Sequence, residues 1–119
     1  MESKFLAEKE KLIIDSGSSI NFIDTGKIIL CQQDNESVIF QMIDQNPINL
    51  KISLNDLTKL LEESTFIRIN NEFLINLKYL EHIPEPKSNY IELAHNLKVP
   101  VTKSCKKEIM EALDDMGDL

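Results

Sequence analysis

Residues 66–83 read FIRINNEFLINLKYLEHI and are followed, after a polar break, by NYIELAHNLKVPVTKS at residues 89–104. The apolar residues fall in packets (FIRI, FLINL, YLEHI, NYIEL, LKVPV) too short for helical periodicity and rich in Ile, Leu and Phe. Asn, Lys, Ser and Pro separate them, with Pro84, Pro86, Lys87, Ser88 and Asn89 forming the clearest break. Short β-favouring packets bounded by turn formers predict strands joined by turns. Pro100 lies inside the last packet and marks an edge or a strand end.

Upstream the same texture holds. LII, INFI, KIILC, SVIFQMI and INLKISL are separated by the turn formers of residues 15–19, 24–26, 33–36 and 44–47. In the last packet Ile48, Leu50, Ile52 and Leu54 alternate with Asn49, Lys51 and Ser53, so one face is buried and the other is wet. At Ser53 the period changes. Ser53 with Asp56 resembles a capping box, and Leu54, Leu57, Leu60 and Leu61 follow at helical spacing, which predicts a short helix from Leu54 to Glu63. Beyond the strands, Thr102 or Ser104 caps a terminal helix with apolar positions Cys105, Ile109, Ala112, Leu113 and Met116, closed by Gly117. The expected fold is mainly β (α+β): small sheets of about nine to ten strands, one short internal helix and a C-terminal helix, with no βαβ alternation. A lead-in over residues 1–10, a domain over 11–113 and an acidic tail over 114–119 complete the expected organisation.

The chain has 119 residues, 42% apolar, which fits one domain with one modest core. Aromatic residues are 6% and Trp is absent, so that core is aliphatic. The formal net charge of −7 opposes binding to a polyanion. It is unevenly spread, however: residues 1–65 carry −5, residues 66–107 carry +3 and residues 108–119 carry −5. Arg68, the sole arginine, and the cluster Lys103, Lys106 and Lys107 all lie in the basic stretch.

Catalytic patterns are missing from the sequence. His82 and His95 have no metal-ligand spacing, Cys31 and Cys105 form no CxxC, and the three glycines make no phosphate loop. Glu62-Glu63 and Asp114-Asp115 read as solvated helix surface, and Cys105 as a small core hydrophobe. The start MESKFLAEKEKL mixes both charge signs, unlike a secretory leader, and no apolar run approaches a bilayer span. The expectation is a cytoplasmic, reduced, non-enzymatic protein with no cofactor, no metal, no small-molecule substrate and no membrane insertion.

Residues 66–76 resemble the hallmark of the LytTR family of bacterial DNA-binding domains, F-x-R-x-H-[RN]-S-[YF]-[LIV]-[IV]-N. Phe66, Arg68, Asn71, Phe73, Leu74, Ile75 and Asn76 fall on it in register, and Val101-Thr102-Lys103 resembles the family's closing V-[ST]-R. The likeness runs over roughly Lys11 to Leu113. It implies an elongated arrangement of small sheets whose loops enter successive major grooves of duplex DNA, without a recognition helix. It further implies a transcription regulator, often the output domain of a response regulator. With so few cations, binding direct repeats as a dimer is expected for useful affinity, and a regulatory protein is a further expected partner. Carried over residue by residue, Asn71 and Lys103 reach into the grooves, Lys103 standing for the usual Arg with reach to phosphate but without the fork that reads guanine, and Asn70 stands at the hallmark His. From the basic stretch, Arg68, Lys106 and Lys107 are expected to neutralise phosphates and Ser104 to donate to a phosphate oxygen. Two acids depart from the pattern, Glu72 beside Asn71 and Glu36 in an expected contact loop. The alternative they raise is a LytTR-fold protein-interaction or dimerisation module that has lost DNA binding and uses an acidic face and the LKVPV edge.

Overall fold

The computed structural model describes residues 3–62, 64–84 and 87–117. Among them are eleven strands and two α-helices. The ten expected strand packets are all present, and the eleventh strand, β1 (Lys4–Leu6), lies in the stretch read as a lead-in. It pairs antiparallel with β2 (Lys11–Asp15), placing Phe5 opposite Leu12. The chain divides into two compact units, one ending at Asn76 and one beginning at Leu77.

The first unit holds two sheets. β1, β2 and β3 (Ile20–Asp24) form one in that order. The other has five strands in the order β6-β5-β4-β8-β7. These are β4 (Ile28–Asp34), β5 (Ser37–Met42), β6 (Ile48–Leu50), β7 (Phe66–Arg68) and β8 (Phe73–Asn76). Every pairing is antiparallel. The predicted alternation at residues 48–54 holds, with Ile48, Leu50 and Ile52 packed against the core and Asn49, Lys51 and Ser53 exposed. The strand itself stops at Leu50, where the Ile52 N–H turns back to the Leu50 carbonyl. Helix α1 (Leu54–Leu60) starts at the expected cap, the Ser53 hydroxyl accepting from Asp56 N at 3.0 Å. It ends at Leu61, and Glu63, its expected end, lies outside the described residues. Leu54, Leu57 and Leu61 join Leu12, Ile14, Cys31, Phe40 and Leu74 in the core, each such residue contributing about 1.5–3 kcal/mol by leaving water. Cys31 is fully buried, and desolvation pushes its thiol pKa far up, so it is inert packing.

The second unit is a sheet of β9 (Leu80–His82), β10 (Tyr90–Leu93) and β11 (Leu97–Pro100), with β10 central, and helix α2 (Lys103–Asp115). Pro100 ends β11, which is an edge strand, as its missing N–H requires. The β10–β11 turn puts His95 and Asn96 at φ 61° and 58°, a left-handed pair that imposes the tight reversal. Thr102 caps α2, its hydroxyl accepting from Cys105 N at 3.1 Å. Thr102→Ala should therefore lower stability by about 1 kcal/mol, read as a shift of the urea midpoint at constant m. Cys105 and Ile109 are buried, as the helical spacing predicts. Gly117, at φ 78°, donates to Asp114 O and closes the helix; Asp118 and Leu119, the end of the expected acidic tail, lie outside the described residues. No helix among the described residues is long and apolar enough to cross a membrane.

Candidate nucleic-acid interface

In the first unit the candidate residues gather on the turn between β7 and β8. The turn is closed by Ile69 N donating to Phe73 O at 2.9 Å. Asn70 folds its side chain inward, Oδ1 accepting from Glu72 N at 2.8 Å and from Phe73 N at 3.0 Å. This Asx-type bonding satisfies the turn's amides locally. Asn71, at the tip, is exposed, and its side chain makes no hydrogen bond among the described residues. The neighbouring acid is held elsewhere. Glu72 Oε2 accepts from Gln32 Nε2 at 2.8 Å, and the Glu72 carbonyl accepts from Gln33 N at 2.8 Å, so the carboxylate is tethered to β4.

Arg68 is committed within the fold. Its Nη1 donates to Thr58 Oγ1 at 2.8 Å and Asn55 Oδ1 at 3.1 Å, both on α1. Its Nη2 donates to Asn71 O at 3.3 Å, and its Nε to Asn70 O. Four of its five N–H groups are thus spoken for. Partial burial also draws its pKa below the ordinary arginine value.

The β4–β5 turn is the second expected contact loop. Asn35 supplies its left-handed residue at φ 56°, and Gln33 Nε2 pins it by donating to Asn35 O at 2.8 Å and Ser37 O at 2.9 Å. Gln33 Oε1 meanwhile accepts from Leu54 N at 2.8 Å, at the start of α1. Glu36 stands in solvent 3.9 Å from Lys51, an exposed pair worth little.

In the second unit the basic cluster divides. Lys103, Ser104 and Lys107 are exposed on the first turns of α2, and neither lysine has an ion pair among the described residues. Lys106 turns inward: it is 7% exposed and its ammonium donates to the Ser88 carbonyl. The placement was readable from the helix, because position 106 shares the buried face with Cys105 and Ile109. Lys103 and Lys107 stand four apart at the positive end of the helix, where both the dipole and their mutual repulsion oppose them. An anion bound there relieves both.

No group of three His, Cys, Asp or Glu side chains could hold a metal among the described residues, and His82 and His95 are exposed. Sequence reasoning passed over Gln32, Gln33, Asn55 and Thr58, whose partners lie 10 to 40 positions away and leave no local signal. It also passed over Asn76, 1% exposed, whose side chain bonds Thr65 and Ile28.

Comparison with known proteins adds three findings. The family described as LytTr DNA-binding domain matches residues 18–114. The sensory transduction protein LytT of Bacillus subtilis (strain 168) is 29% identical over 109 residues, covering 90% of this chain and 45% of that protein, so the chain spans about half the length of this curated relative. The solved LytTr DNA-binding domain of a putative methyl-accepting/DNA response regulator from Bacillus cereus superposes with a TM-score of 0.67 at 17% identity, over 87% of this chain and 95% of that one. This last likeness concerns the fold.

Proposed function

We propose, from the premise that the chain belongs to the LytTR DNA-binding domain family, that it binds duplex DNA sequence-specifically as a bacterial transcription regulator of the response-regulator output type. The observation that carries this reading is the turn at residues 70–72. Asn71 offers an unspent amide in solvent, and Glu72, the acid that argued against DNA, is drawn to Gln32. An asparagine amide pairs bidentately with an adenine edge in the major groove. Lys103 and Lys107 supply phosphate neutralisation from α2, and Ser104 a hydroxyl donor. Lys106, spent on Ser88, contributes its positive charge only at a distance. With so few cations, useful affinity calls for two copies on paired direct repeats. The action is non-enzymatic and set in the cytoplasm, where the DNA lies.

Titration of labelled duplex bearing paired direct repeats against a scrambled duplex, over a salt series, tests the reading. Tighter binding to the repeats is expected, and a Lys103→Ala, Lys107→Ala double variant should make the salt slope shallower by about 1.8 per bound copy. Equal affinity for both duplexes, with an unchanged slope, refutes it.

Among the described residues, protein recognition is best favoured on β3. Ile20 and Phe22 lie 46% and 66% exposed on β3, an edge strand, and apolar edges invite strand addition. The LKVPV edge is less apt for it, since Lys98 and Pro100 are residues by which sheet edges resist pairing.

A further inference from the structure

We propose that Arg68 is a positioning residue, braced by helix α1, that holds the β7–β8 turn in the conformation presenting Asn71, and that it is not a phosphate contact. The inference rests on the reading of Asn71 as the DNA-facing residue. A guanidinium is a rigid planar fork of five N–H groups. One side of this fork grips α1 through Thr58 Oγ1 and Asn55 Oδ1; the other grips the two carbonyls at the turn's tip, Asn70 O and Asn71 O. The fork therefore links a helix buried by Leu54 and Leu57 to a turn that has no apolar anchor of its own, since residues 70–72 are all exposed.

The anchor on α1 is itself fixed. Thr58 donates its hydroxyl hydrogen to Leu54 O at 2.7 Å, which leaves its oxygen lone pairs to face Arg68. On the turn, Arg68 takes the carbonyls while Asn70 Oδ1 takes the amides of Glu72 and Phe73, and Gln33 N takes the Glu72 carbonyl. Backbone polar groups that cross-link in this way fix the loop before any ligand arrives, and the Asn71 amide is left over. Loop ordering is a cost that binding otherwise bears. A single remaining N–H also cannot make the bidentate grip that gives arginine its advantage on phosphate. Lysine cannot replace the fork: an ammonium is a point charge that cannot span two helix acceptors and two turn carbonyls.

Three variants separate the two roles. Thr58→Val removes the closer of the two helix acceptors without changing charge. Arg68→Lys keeps the charge but loses the fork, and Arg68→Gln loses the charge. The first readout needs no DNA: amide hydrogen exchange at Glu72 and Phe73, whose N–H groups are held by Asn70 Oδ1, followed by NMR, with urea unfolding as control. Positioning predicts exchange about tenfold or more faster at these amides in Thr58→Val and Arg68→Lys, with protection in β4 and β5 retained. Unchanged exchange overturns the proposal whether or not the protein binds DNA. The second readout is affinity for the preferred duplex. Positioning predicts a loss of about 3- to 10-fold in Thr58→Val and Arg68→Lys, and an unaltered salt slope in Arg68→Gln. Full affinity in Thr58→Val and Arg68→Lys, with a slope shallower by about 0.9 in Arg68→Gln, makes Arg68 a phosphate contact and overturns the proposal. Absence of DNA binding by the unaltered protein counts against the function, while the exchange data still decide the role of Arg68.

Discussion

Replacing Asn76 by leucine should lower the folding stability by about 3 kcal/mol, a larger loss than its shape-conserving nature suggests. Asn76 ends β8 and is 1% exposed. Its Oδ1 accepts from Thr65 Oγ1 at 2.6 Å, and its Nδ2 donates to Ile28 O at 2.9 Å, at the start of β4. Leucine keeps the branching at Cγ but is bulkier, and it strands both partners. A buried acceptor left without a donor costs about 1–3 kcal/mol, and the half-buried Thr65 hydroxyl adds a smaller sum because water reaches it. Asn76→Asp fares no better, since a carboxylate then faces the Ile28 carbonyl, another acceptor, in a dry site. With a urea m value of about 1–3 kcal/mol/M, the midpoint should fall by about 1–3 M. A fall below about 0.3 M would show that the surroundings repack freely and that Asn76 is no structural tie.

The hallmark stretch thus mixes two kinds of residue that sequence pattern alone does not sort. Asn71 and Asn76 are the same amino acid five positions apart, one in solvent and one in the core. A signal for Asn76 existed: it keeps step with Leu74 along β8, and a polar residue in phase with core positions is usually a satisfied internal tie. The inward turn of Lys106 was legible in the same way. Periodicity also placed α1, α2 and the alternating face at Ile48–Leu54, and the side-chain caps at Ser53 and Thr102 follow from local chemistry. β1 escaped because three residues with only Phe5 pointing inward are too short to register as a pattern. The Arg68 fork and the Glu72–Gln32 tether escaped for another reason. Their partners meet only because β4 pairs with β8 and α1 lies near β7, and hydrogen-bond direction is invisible to a one-dimensional reading. Those tethers bear most on the proposed interface, for they leave the Asn71 amide at the tip and tie the exposed Glu72 carboxylate toward Gln32.

Asn71→Ala is accordingly expected to cost about 5- to 150-fold in affinity for the preferred duplex, the equivalent of one bidentate base contact at about 1–3 kcal/mol. The loss should be confined to that duplex. Binding to a scrambled sequence should stay within about twofold, and the salt slope should not change, because no charge is removed and no phosphate is released. Folding stability should hold as well, since the side chain is exposed and makes no hydrogen bond among the described residues. This combination distinguishes base reading from its two rivals. A phosphate contact would weaken both duplexes alike, and a positioning role would speed amide exchange at Glu72 in the absence of DNA. Anisotropy titrations of both duplexes at two salt concentrations, with exchange measured on the same variant, separate the three. A uniform loss across sequences would make Asn71 a phosphate contact and move the reading of bases to another loop.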